Sequence, residues 1–297
     1  MTAVSISPQP GPVTVRVPAT SANLGPGFDA LGVALTLYDE VTATVVDGPT
    51  RVEITGEGAG ELPADESHLV VRSMRTAFEA LGATAPEVEL RCVNRIPQAR
   101  GLGSSSAAIV AGVTLAQALA GKTDQELALE IAGAIEGHPD NVAPCVLGGF
   151  TIAWLDDEHR ARAARMTPVQ SVQPVVFVPD VQGLTAVARA ALPATVPHAD
   201  AAFNAGRSAL LVHALTADPA LLYAATEDRL HQAYRAGGMP GTADVVRRLR
   251  EAGVAAVVSG AGPTVLALSE VPSGFDLGIG WIRHNLGFDS RGAHLMS

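Results

Sequence analysis

The chain has 297 residues, of which 47% are hydrophobic and 17% are charged, and its formal net charge is -10. Such a composition belongs to a globular protein with one large or two modest domains. The negative charge argues against nucleic acid or an anionic membrane surface as the main partner, because both are bound chiefly through clustered lysine and arginine. Cys92 and Cys145 lack metal-ligand spacing, and the sequence has no leader segment or membrane span, so we expect a soluble, cytoplasmic protein.

The first part of the chain is predicted to form strands and one helix. After an irregular tail that reaches Gly11, a strand leads into a polar loop at Pro18–Asp29. Two alternating apolar runs predict a hairpin that is closed at Asp47–Pro49. The expected elements are strands at Val13–Val17, Val41–Val46, Arg51–Gly56 and Val88–Cys92, and an amphipathic helix at Leu69–Leu81.

The middle of the chain is predicted to be largely helical. A nearly all-apolar helix over Ser105–Ala120 should be buried on most sides. Thr123 and Glu126 have the spacing of a capping box for a second helix that ends near Glu136. The densest charge cluster, at 156–165, marks the expected domain boundary.

The second half of the chain alternates between strands and helices, which indicates an α+β domain with a covered antiparallel sheet. The remaining expected elements are a polar turn at Gly137–Asn141, strands at Gly148–Trp154, Val172–Val178, Val254–Ser259 and Val265–Leu268, and helices at Thr185–Leu192, Asn204–Leu215, Pro219–His231 and Thr242–Ala252. A glycine-rich turn joins the last two strands.

A glycine- and serine-rich loop, PQARGLGSSSAA at Pro97–Ala108, lies between a predicted strand and the buried helix. Glycine lets a ligand approach the backbone, and the first amides of a helix lack internal acceptors, so the loop is predicted to bind a phosphate. Two better-known phosphate-binding motifs are excluded. Ser106 occupies the position of the third glycine or alanine of a dinucleotide fingerprint, and Ala116 occupies the position of the first glycine of a Walker A loop. Because Lys122 is the only lysine, backbone amides, serines, Arg100 and a metal ion must neutralise the phosphates.

Three glycine-rich loops follow one another in the chain: PATSANLGPGFD at 18–29, PQARGLGSSSAA, and SGAGPT at 259–264. With these motifs the chain resembles the GHMP small-molecule kinases from about residue 13 to residue 268, and within them it is most similar to the homoserine kinase branch. The segments that match this branch are NLGPGFD, EGHPDNVAP at Glu136–Pro144, TAVARAALP at Thr185–Pro193, and the pair Tyr234–Arg235. Leu184 departs from the branch, which usually has serine there, so one polar contact near the substrate is expected to be missing.

The resemblance implies a two-domain α+β fold. An N-terminal α+β nucleotide-binding domain would cover residues 1–155, and a ferredoxin-like C-terminal domain would cover residues 156–297. The resemblance also implies transfer of the γ-phosphoryl group of ATP to the side-chain hydroxyl of L-homoserine, which gives O-phospho-L-homoserine for threonine biosynthesis. The implied cofactors are ATP and Mg²⁺, the implied partner is the small-molecule substrate, and the oligomeric state stays open, with a homodimer as one candidate.

The resemblance assigns the nucleotide to the glycine- and serine-rich loop. The residues expected to bind ATP are Pro97, Gln98, Ala99, Arg100, Gly101, Leu102, Gly103, Ser104, Ser105, Ser106 and Ala107. Mg²⁺ prefers oxygen ligands and usually takes only one or two protein carboxylates. Glu136 with Ser105 is the first choice for the metal, and Glu130, on the same predicted helix, is the alternative.

An amino-acid substrate presents a carboxylate and an ammonium group, so its site needs a guanidinium and carboxylate or amide oxygens. The residues that the resemblance assigns to the substrate are Asn23, Asp29, His138, Arg189 and Arg235. Asn141 would lie near the reacting hydroxyl. Asp140 would accept the hydroxyl proton as a general base or would instead be an ordinary residue at a helix N-terminus, and both readings stay open.

Two other functions are compatible with the motifs. Another GHMP kinase could act on mevalonate, a sugar or an isoprenoid precursor, but these substrates lack the amino-acid group that Arg189 and Arg235 with Asn23 and Asp29 would bind. A catalytically silent nucleotide-binding or regulatory protein on the same fold would bind ATP without turnover.

Overall fold

The computed structural model describes residues 11–296, so the first ten residues of the predicted N-terminal tail lie outside the described residues. The strands are β1 (Val13–Asn23), β2 (Gly27–Val45), β3 (Arg51–Gly56), β4 (Val88–Asn94), β5 (Phe150–Leu155), β6 (Ala161–Met166), β7 (Val175–Pro179), β8 (Ala256–Val258), β9 (Val265–Ala267), β10 (Trp281–Asn285) and β11 (His294–Leu295). The helices are α1 (Leu69–Ala80), α2 (Ser104–Leu119), α3 (Gln125–Glu136), α4 (Pro139–Leu147), α5 (Thr185–Ala190), α6 (His198–Thr216), α7 (Leu222–Ala225), α8 (Gln232–Arg235) and α9 (Pro240–Glu251).

The first sheet has the strand order β11-β1-β2-β4-β3, with β5 paired to β2 and β6 paired to β5. The predicted polar loop at Pro18–Asp29 is wrong, because β1 continues to Asn23 and pairs with β2, leaving only Leu24–Pro26 as a turn. The stretch from Val17 to Gly27 is buried. Buried backbone amides and carbonyls need partners, and strand pairing supplies them here.

The predicted hairpin between β2 and β3 is also wrong. β3 lies parallel to β4, with Val52 opposite Leu90, and helix α1 makes the crossover that a parallel pair requires. The neighbour of β2 is instead β4, which runs antiparallel to it. β4 buries alternate residues and lies between β2 and β3, whereas β3 is largely exposed and forms the sheet edge.

Helices α1 to α4 cover one region of the first sheet, and α2 is the most apolar of them. The predicted helix over Ser105–Ala120 is confirmed to within one residue at each end. The predicted capping box is wrong, because the side chain of Asp124, not Thr123, accepts a hydrogen bond from the Leu127 amide, at 3.0 Å. Asp124 is a strong N-cap residue in its own right, so the glutamate of a capping box is not needed.

The second sheet is antiparallel and has the order β10-β7-β9-β8. Val245 and Leu249 of α9 pack on it with Phe177, so the sheet is covered as the sequence predicted. The predicted helix over Pro219–His231 is wrong in its second half, because α7 ends at Ala225. The expected α+β class is nevertheless confirmed.

The C-terminal segment returns from the second sheet to the first. Phe288 bridges to Leu35, the Asp289 amide donates to the Ala34 carbonyl at 2.9 Å, and β11 then pairs with β1. The chain passes from the first sheet to the second between β6 and β7, because β6 still pairs with β5 of the first sheet. The domain division at residues 155 and 156 stays a prediction. None of the helices described between residues 11 and 296 has the length and apolarity needed to cross a membrane.

Candidate active site

The three glycine-rich loops meet where the two sheets approach each other. The Thr20 amide of the first loop donates to the Leu102 carbonyl of the second at 3.0 Å. The Gly260 amide of the third loop donates to the Ala22 carbonyl of the first at 2.9 Å. These backbone bonds fix the three loops as one unit, although they lie far apart in the sequence.

Glycine is required at two positions of the second loop because the loops are so close. Gly101 and Gly103 have φ angles of +78° and +69°. A Cβ atom on Gly101 would lie 2.3 Å from the Ser259 carbonyl oxygen, and one on Gly103 would lie 2.0 Å from the Thr20 hydroxyl oxygen. Any side chain would therefore push the loops apart.

The N-terminus of α2 is open to an anion. Gly103 is its N-cap residue, no side chain caps the helix, and its first turn contains no acidic residue. The unpaired amides and the helix dipole together favour a negatively charged ligand. The hydroxyls of Ser105 and Ser106 turn the other way and donate to Oε1 of Glu136 at 3.0 and 3.1 Å.

Arg100 anchors the loop through its side chain. Its guanidinium donates to the carbonyl oxygens of Pro179, Asp180 and Gln98 at 3.0, 2.7 and 2.8 Å. The first two acceptors belong to the end of β7 and the residue after it. The arginine that was expected to neutralise phosphate is therefore engaged in tying the loop to the second sheet.

The two candidate metal glutamates have different surroundings. Glu130 forms an ion pair with Arg162, which also contacts Asp156 at 3.1 Å. Among residues 11–296, Glu136, the last residue of α3, accepts only from the hydroxyls of Ser105 and Ser106. Within residues 11–296 no cluster of three or more metal-binding side chains occurs. A single carboxylate with a serine hydroxyl is compatible with Mg²⁺, which usually keeps water and phosphate oxygens as its other ligands.

A small cavity of about 80 Å³ gathers most of the predicted site residues. Its lining includes Asn23, Ala99, Arg100, Gly101, Gly103, Ser104, Ser105, Glu136, His138, Asp140, Asn141, Arg189 and Arg235. A second cavity, of about 450 Å³, adjoins it and shares five lining residues with it, which are Ala99, Ser104, Ser105, Gly183 and Thr185. The larger cavity also has Gln98 and Ala107 in its wall.

Three of the remaining loop residues lie outside the lining of both cavities. The side chain of Leu102 is buried in the hydrophobic core, and Ser106 is also fully buried. Pro97 is half-buried. We expect these three residues to contribute backbone atoms or packing to the loop.

Arg189 lines the small cavity and pairs with Asp29, which is not among the lining residues. The guanidinium donates to both carboxylate oxygens, at 3.0 and 2.6 Å, in the bidentate geometry of a strong charge-assisted pair. Each side chain is about one third exposed. Hydrogen bonding to Asp29 raises the pKa of Arg189.

Arg235 has no carboxylate partner among residues 11–296, although it is only 3% exposed. Nε donates to the Ala188 carbonyl at 3.1 Å, and Nη1 contacts Nδ1 of His231 at 3.1 Å and the Gly260 carbonyl at 3.4 Å. In the same part of the chain, no acceptor lies within hydrogen-bond distance of Nη2. Burial lowers the pKa of this guanidinium, and the nearby Arg189 adds to the effect. We expect an unpaired buried cation at a cavity to attract an anion.

His138, Asp140 and Asn141 lie together at the start of α4, so the predicted polar turn is helical from Pro139 onward. Nδ1 of His138 is 3.2 Å from the carboxylate of Asp140, which is only 2% exposed. The hydrogen bond to Asp140 raises the pKa of His138. The side-chain oxygen of Asn141 accepts from the Thr20 hydroxyl at 2.8 Å, which leaves the amide nitrogen of Asn141 to face the cavity.

Asn23 joins the first and third loops. Its side-chain nitrogen donates to the Gly260 carbonyl at 2.8 Å, and its side-chain oxygen accepts from the Asp29 amide at 2.9 Å. The residue has a φ of 67°, a conformation that asparagine tolerates better than most residues. Asn23 therefore has a structural role in addition to its place in the cavity wall.

Comparison with known proteins identifies the family. Residues 68–149 match the GHMP kinases N terminal domain, and residues 208–273 match the GHMP kinases C terminal family. The chain is 56% identical to a homoserine kinase of Streptomyces avermitilis over 96% of its own length and 95% of that protein. The chain belongs to the homoserine kinase family.

Other members of the homoserine kinase family agree with this assignment. The enzyme of Clavibacter michiganensis is 54% identical over 88% of this chain and 83% of its own length. The crystal structure of homoserine kinase from Cytophaga hutchinsonii superposes with a TM-score of 0.84 at 29% identity, covering 100% of this chain and 99% of that one. The similarity thus extends across both sheets.

Sequence reasoning missed two residues of the candidate site. Thr20 orients Asn141, and His231, which is completely buried, contacts Arg235. Thr20 lies in a segment whose sequence predicts a loop. A signal for His231 does exist, because it precedes Arg235 by four residues, the spacing that places two side chains on one helix face.

Proposed function

We propose that the protein transfers the γ-phosphoryl group of ATP to the side-chain hydroxyl of L-homoserine and forms O-phospho-L-homoserine, as its closely similar relatives are named for doing. The observation that carries this proposal is the buried, unpaired guanidinium of Arg235, which shares one cavity with the open N-terminus of α2. The N-terminus of α2 suits a phosphate, and the guanidinium of Arg235 suits a carboxylate. Homoserine carries its carboxylate and its hydroxyl at opposite ends.

ATP would lie across the two adjoining cavities. Its phosphates would accept hydrogen bonds from backbone amides at the start of α2, where Ser104 and Ser105 line both spaces. The nucleoside would occupy the larger cavity, where His68 and Asn94 offer polar contacts. Glycine at 101 and 103 lets the loop backbone come close to the phosphates.

Mg²⁺ would be held by Glu136 and Ser105, whose oxygen atoms are 3.0 Å apart. When bound, the metal would neutralise the charge of the transferred phosphoryl group. Glu130 is the weaker candidate because its carboxylate is already paired with Arg162. Hard oxygen donors of this kind suit Mg²⁺ better than softer transition metals.

The substrate would be held by its two charged groups. Nη2 of Arg235 would donate to the carboxylate, and Asp29 with Asn23 would accept from the ammonium group. Arg189, which pairs with Asp29, would also lie beside the substrate. Binding at both ends positions the hydroxyl for in-line attack, which is the main task of a phosphoryl-transfer enzyme.

The hydroxyl end would lie near α4. The amide nitrogen of Asn141, held in place by Thr20, would orient the reacting oxygen. Asp140 would accept the proton, and the hydrogen bond from His138 would hold its carboxylate in position. The alternative is that Asp140 only orients His138 and that the proton leaves with the phosphate.

We extend the proposal to organisation and location. The two family matches lie on either side of residue 155, which supports a division into residues 1–155 and 156–297. Both cysteines are free and buried, which is consistent with a cytoplasmic enzyme. A homodimer stays a prediction.

The test is ADP release from ATP by the purified protein, with and without Mg²⁺, in the presence of L-homoserine, L-serine, L-threonine, mevalonate or galactose. We expect Mg²⁺-dependent turnover that is selective for homoserine. Turnover with another alcohol would overturn the substrate assignment, and ATP binding without any turnover would favour a silent nucleotide-binding protein.

Two matched variants test the metal assignment in the same assay. Glu136→Gln should lower kcat/KM by roughly 100-fold and raise the Mg²⁺ concentration needed for half-maximal rate, because one charged ligand is lost. Glu130→Gln, on the same helix, should retain activity within about threefold. The reverse order of effects would assign the metal to Glu130.

A further inference from the structure

His231 is a buried titratable residue next to the proposed substrate site. Its side chain is 0% exposed. Nε2 is 2.7 Å from the Gly25 carbonyl oxygen, and Nδ1 is 3.1 Å from Nη1 of Arg235. The ring of Phe28 packs on it with a centroid distance of 5.3 Å. Nothing in the proposed reaction uses this histidine directly.

The two contacts of His231 permit only one form of the ring. A guanidinium can only donate, so Nδ1 must accept and must carry no proton. A carbonyl can only accept, so Nε2 must carry the proton and donate it to Gly25. The imidazole is therefore neutral, with its hydrogen on Nε2. Burial lowers the pKa of His231, which agrees with this form.

Asp228 holds the histidine in place from the preceding turn. Its carboxylate accepts from the amides of Leu230, His231 and Gln232 at 2.8, 3.1 and 2.8 Å. It lies 3.7 Å from Nε2 of His231, and its side chain is also 0% exposed. This turn ends the irregular segment and begins α8, so Arg235 follows His231 by one helical turn.

These contacts divide the donors of Arg235 between the protein and the cavity. Nε is directed to the Ala188 carbonyl, and Nη1 is directed to His231 and the Gly260 carbonyl. The planar guanidinium is then fixed in orientation, and only Nη2 is left to meet a ligand. A guanidinium with one free nitrogen in a fixed plane binds a carboxylate with less loss of side-chain entropy than a mobile one.

We propose that His231 is a positioning residue that sets the orientation of the Arg235 guanidinium and thereby the affinity for the substrate carboxylate. The inference rests on the proposed function, because it needs Arg235 to bind that carboxylate. Recognition of homoserine by Arg235 does not by itself require His231. Our inference adds that the histidine ring must be neutral and must accept a hydrogen bond at Nδ1.

Two substitutions separate the two contacts of the ring. The side-chain oxygen of asparagine can take the place of Nδ1 and accept from Arg235, but asparagine is too short to reach Gly25. Glutamine is long enough to donate to Gly25 in place of Nε2, but it does not supply the acceptor at Nδ1. We therefore expect His231→Gln to raise the KM for homoserine by about 10-fold or more, the effect of one lost hydrogen bond to a charged group.

His231→Asn is expected to raise the KM for homoserine by no more than about threefold. Neither substitution should change the KM for ATP by more than about twofold, and melting temperatures measured on both variants report any general loss of stability. His213→Gln, at an exposed histidine of α6, is the matched control and should behave as the unmodified protein.

The outcomes decide between positioning and plain packing. A KM for homoserine that is raised in the glutamine variant and nearly normal in the asparagine variant supports the inference. Equal KM values in both variants, or a better glutamine variant, would overturn it. If the unmodified protein does not phosphorylate homoserine at all, it is the proposed function that fails, and this result is distinguishable from an effect confined to the variants.

Discussion

Two short segments each supply one arginine to the proposed substrate site, and they differ in almost every physical respect. The segment around α5 carries Arg189 and has no buried residue, and Leu184 and Val187 are 65% and 63% exposed. The segment that ends in α8 carries Arg235 and buries both His231 and Arg235. Arg189 is neutralised by Asp29, whereas Arg235 has no carboxylate partner in the described part of the chain.

The difference separates two ways of keeping a cation at a binding site. An exposed arginine needs little compensation and can exchange Asp29 for a substrate group at a low energetic cost. A buried arginine without a counter-ion is destabilising until an anion arrives, so it must be held by hydrogen bonds to carbonyls and to a neutral histidine. Arg235 is therefore the preorganised part of the site, and Arg189 is the exchangeable part.

The largest expected effect is at Arg235. Arg235→Met should lower kcat/KM for homoserine by on the order of 10³-fold, because the buried partner of the carboxylate is lost. The KM for ATP should change little. Steady-state kinetics with each substrate varied in turn checks this, and a loss smaller than about tenfold would contradict the proposed carboxylate site.

A smaller effect is expected at Arg189. Arg189→Met should lower kcat/KM for homoserine by roughly 10- to 100-fold, because this cation is partly exposed and already paired. Asp29→Asn should lower kcat/KM less when it is introduced into the Arg189→Met variant than when it is introduced into the unmodified protein. The reason is that the two residues interact directly. Simple additivity in the double-mutant cycle would argue that the pair does not act together.

The contact between His138 and Asp140, which lies beside both arginines, should make stability depend on pH. The pKa of His138 is raised by Asp140, so its contribution to stability is fully present below the unfolded pKa of about 6.5 and is lost as pH rises through the folded pKa. We expect His138→Gln to lower the free energy of unfolding by up to about 1 kcal/mol at about pH 6 and by less at about pH 8. Denaturant unfolding at both pH values measures it, and a larger loss at the higher pH would have the wrong sign.

The smallest expected effect is at Leu184, where the chain departs from the usual serine. Leu184→Ser should change the free energy of unfolding by less than about 0.5 kcal/mol, since this side chain is mostly exposed. Contrary to the expectation that a polar substrate contact is missing, the KM values should stay within about twofold, because Leu184 lines the larger cavity and not the small one. A gain of about tenfold in homoserine affinity would instead mean that the departure removes a contact with the substrate.

Local patterns in the sequence predicted much of this structure. The helix at Leu69–Ala80 was confirmed because its apolar periodicity is a property of the segment itself, and the helix at Ser104–Leu119 was confirmed because its nearly continuous apolar run is another such local property. The second loop was confirmed as the link between a strand and a buried helix. The predicted roles of the site residues stay predictions, although most of those residues line one cavity.

The wrong predictions concern partners that lie far away in the chain. Whether Arg51–Gly56 pairs with the preceding strand or with Val88–Asn94 depends on which strand buries more apolar surface in the whole sheet. The two short C-terminal strands were missed because their sequences contain little that indicates a strand. Only their pairing with the two sheets identifies them. His231 was missed although it lies four residues before Arg235, because its contact with Gly25, 206 positions earlier, follows only from the fold.

The return of the C-terminal segment to β1 has a mechanical consequence. The chain crosses from the first sheet to the second after β6 and crosses back after β10, so two covalent connections link the bodies that flank the cleft. Two connections restrict the relative movement of the sheets more than one would, and the backbone hydrogen bonds among the three glycine-rich loops restrict it further. We therefore expect Arg235 and the glycine- and serine-rich loop to keep a nearly constant relative position.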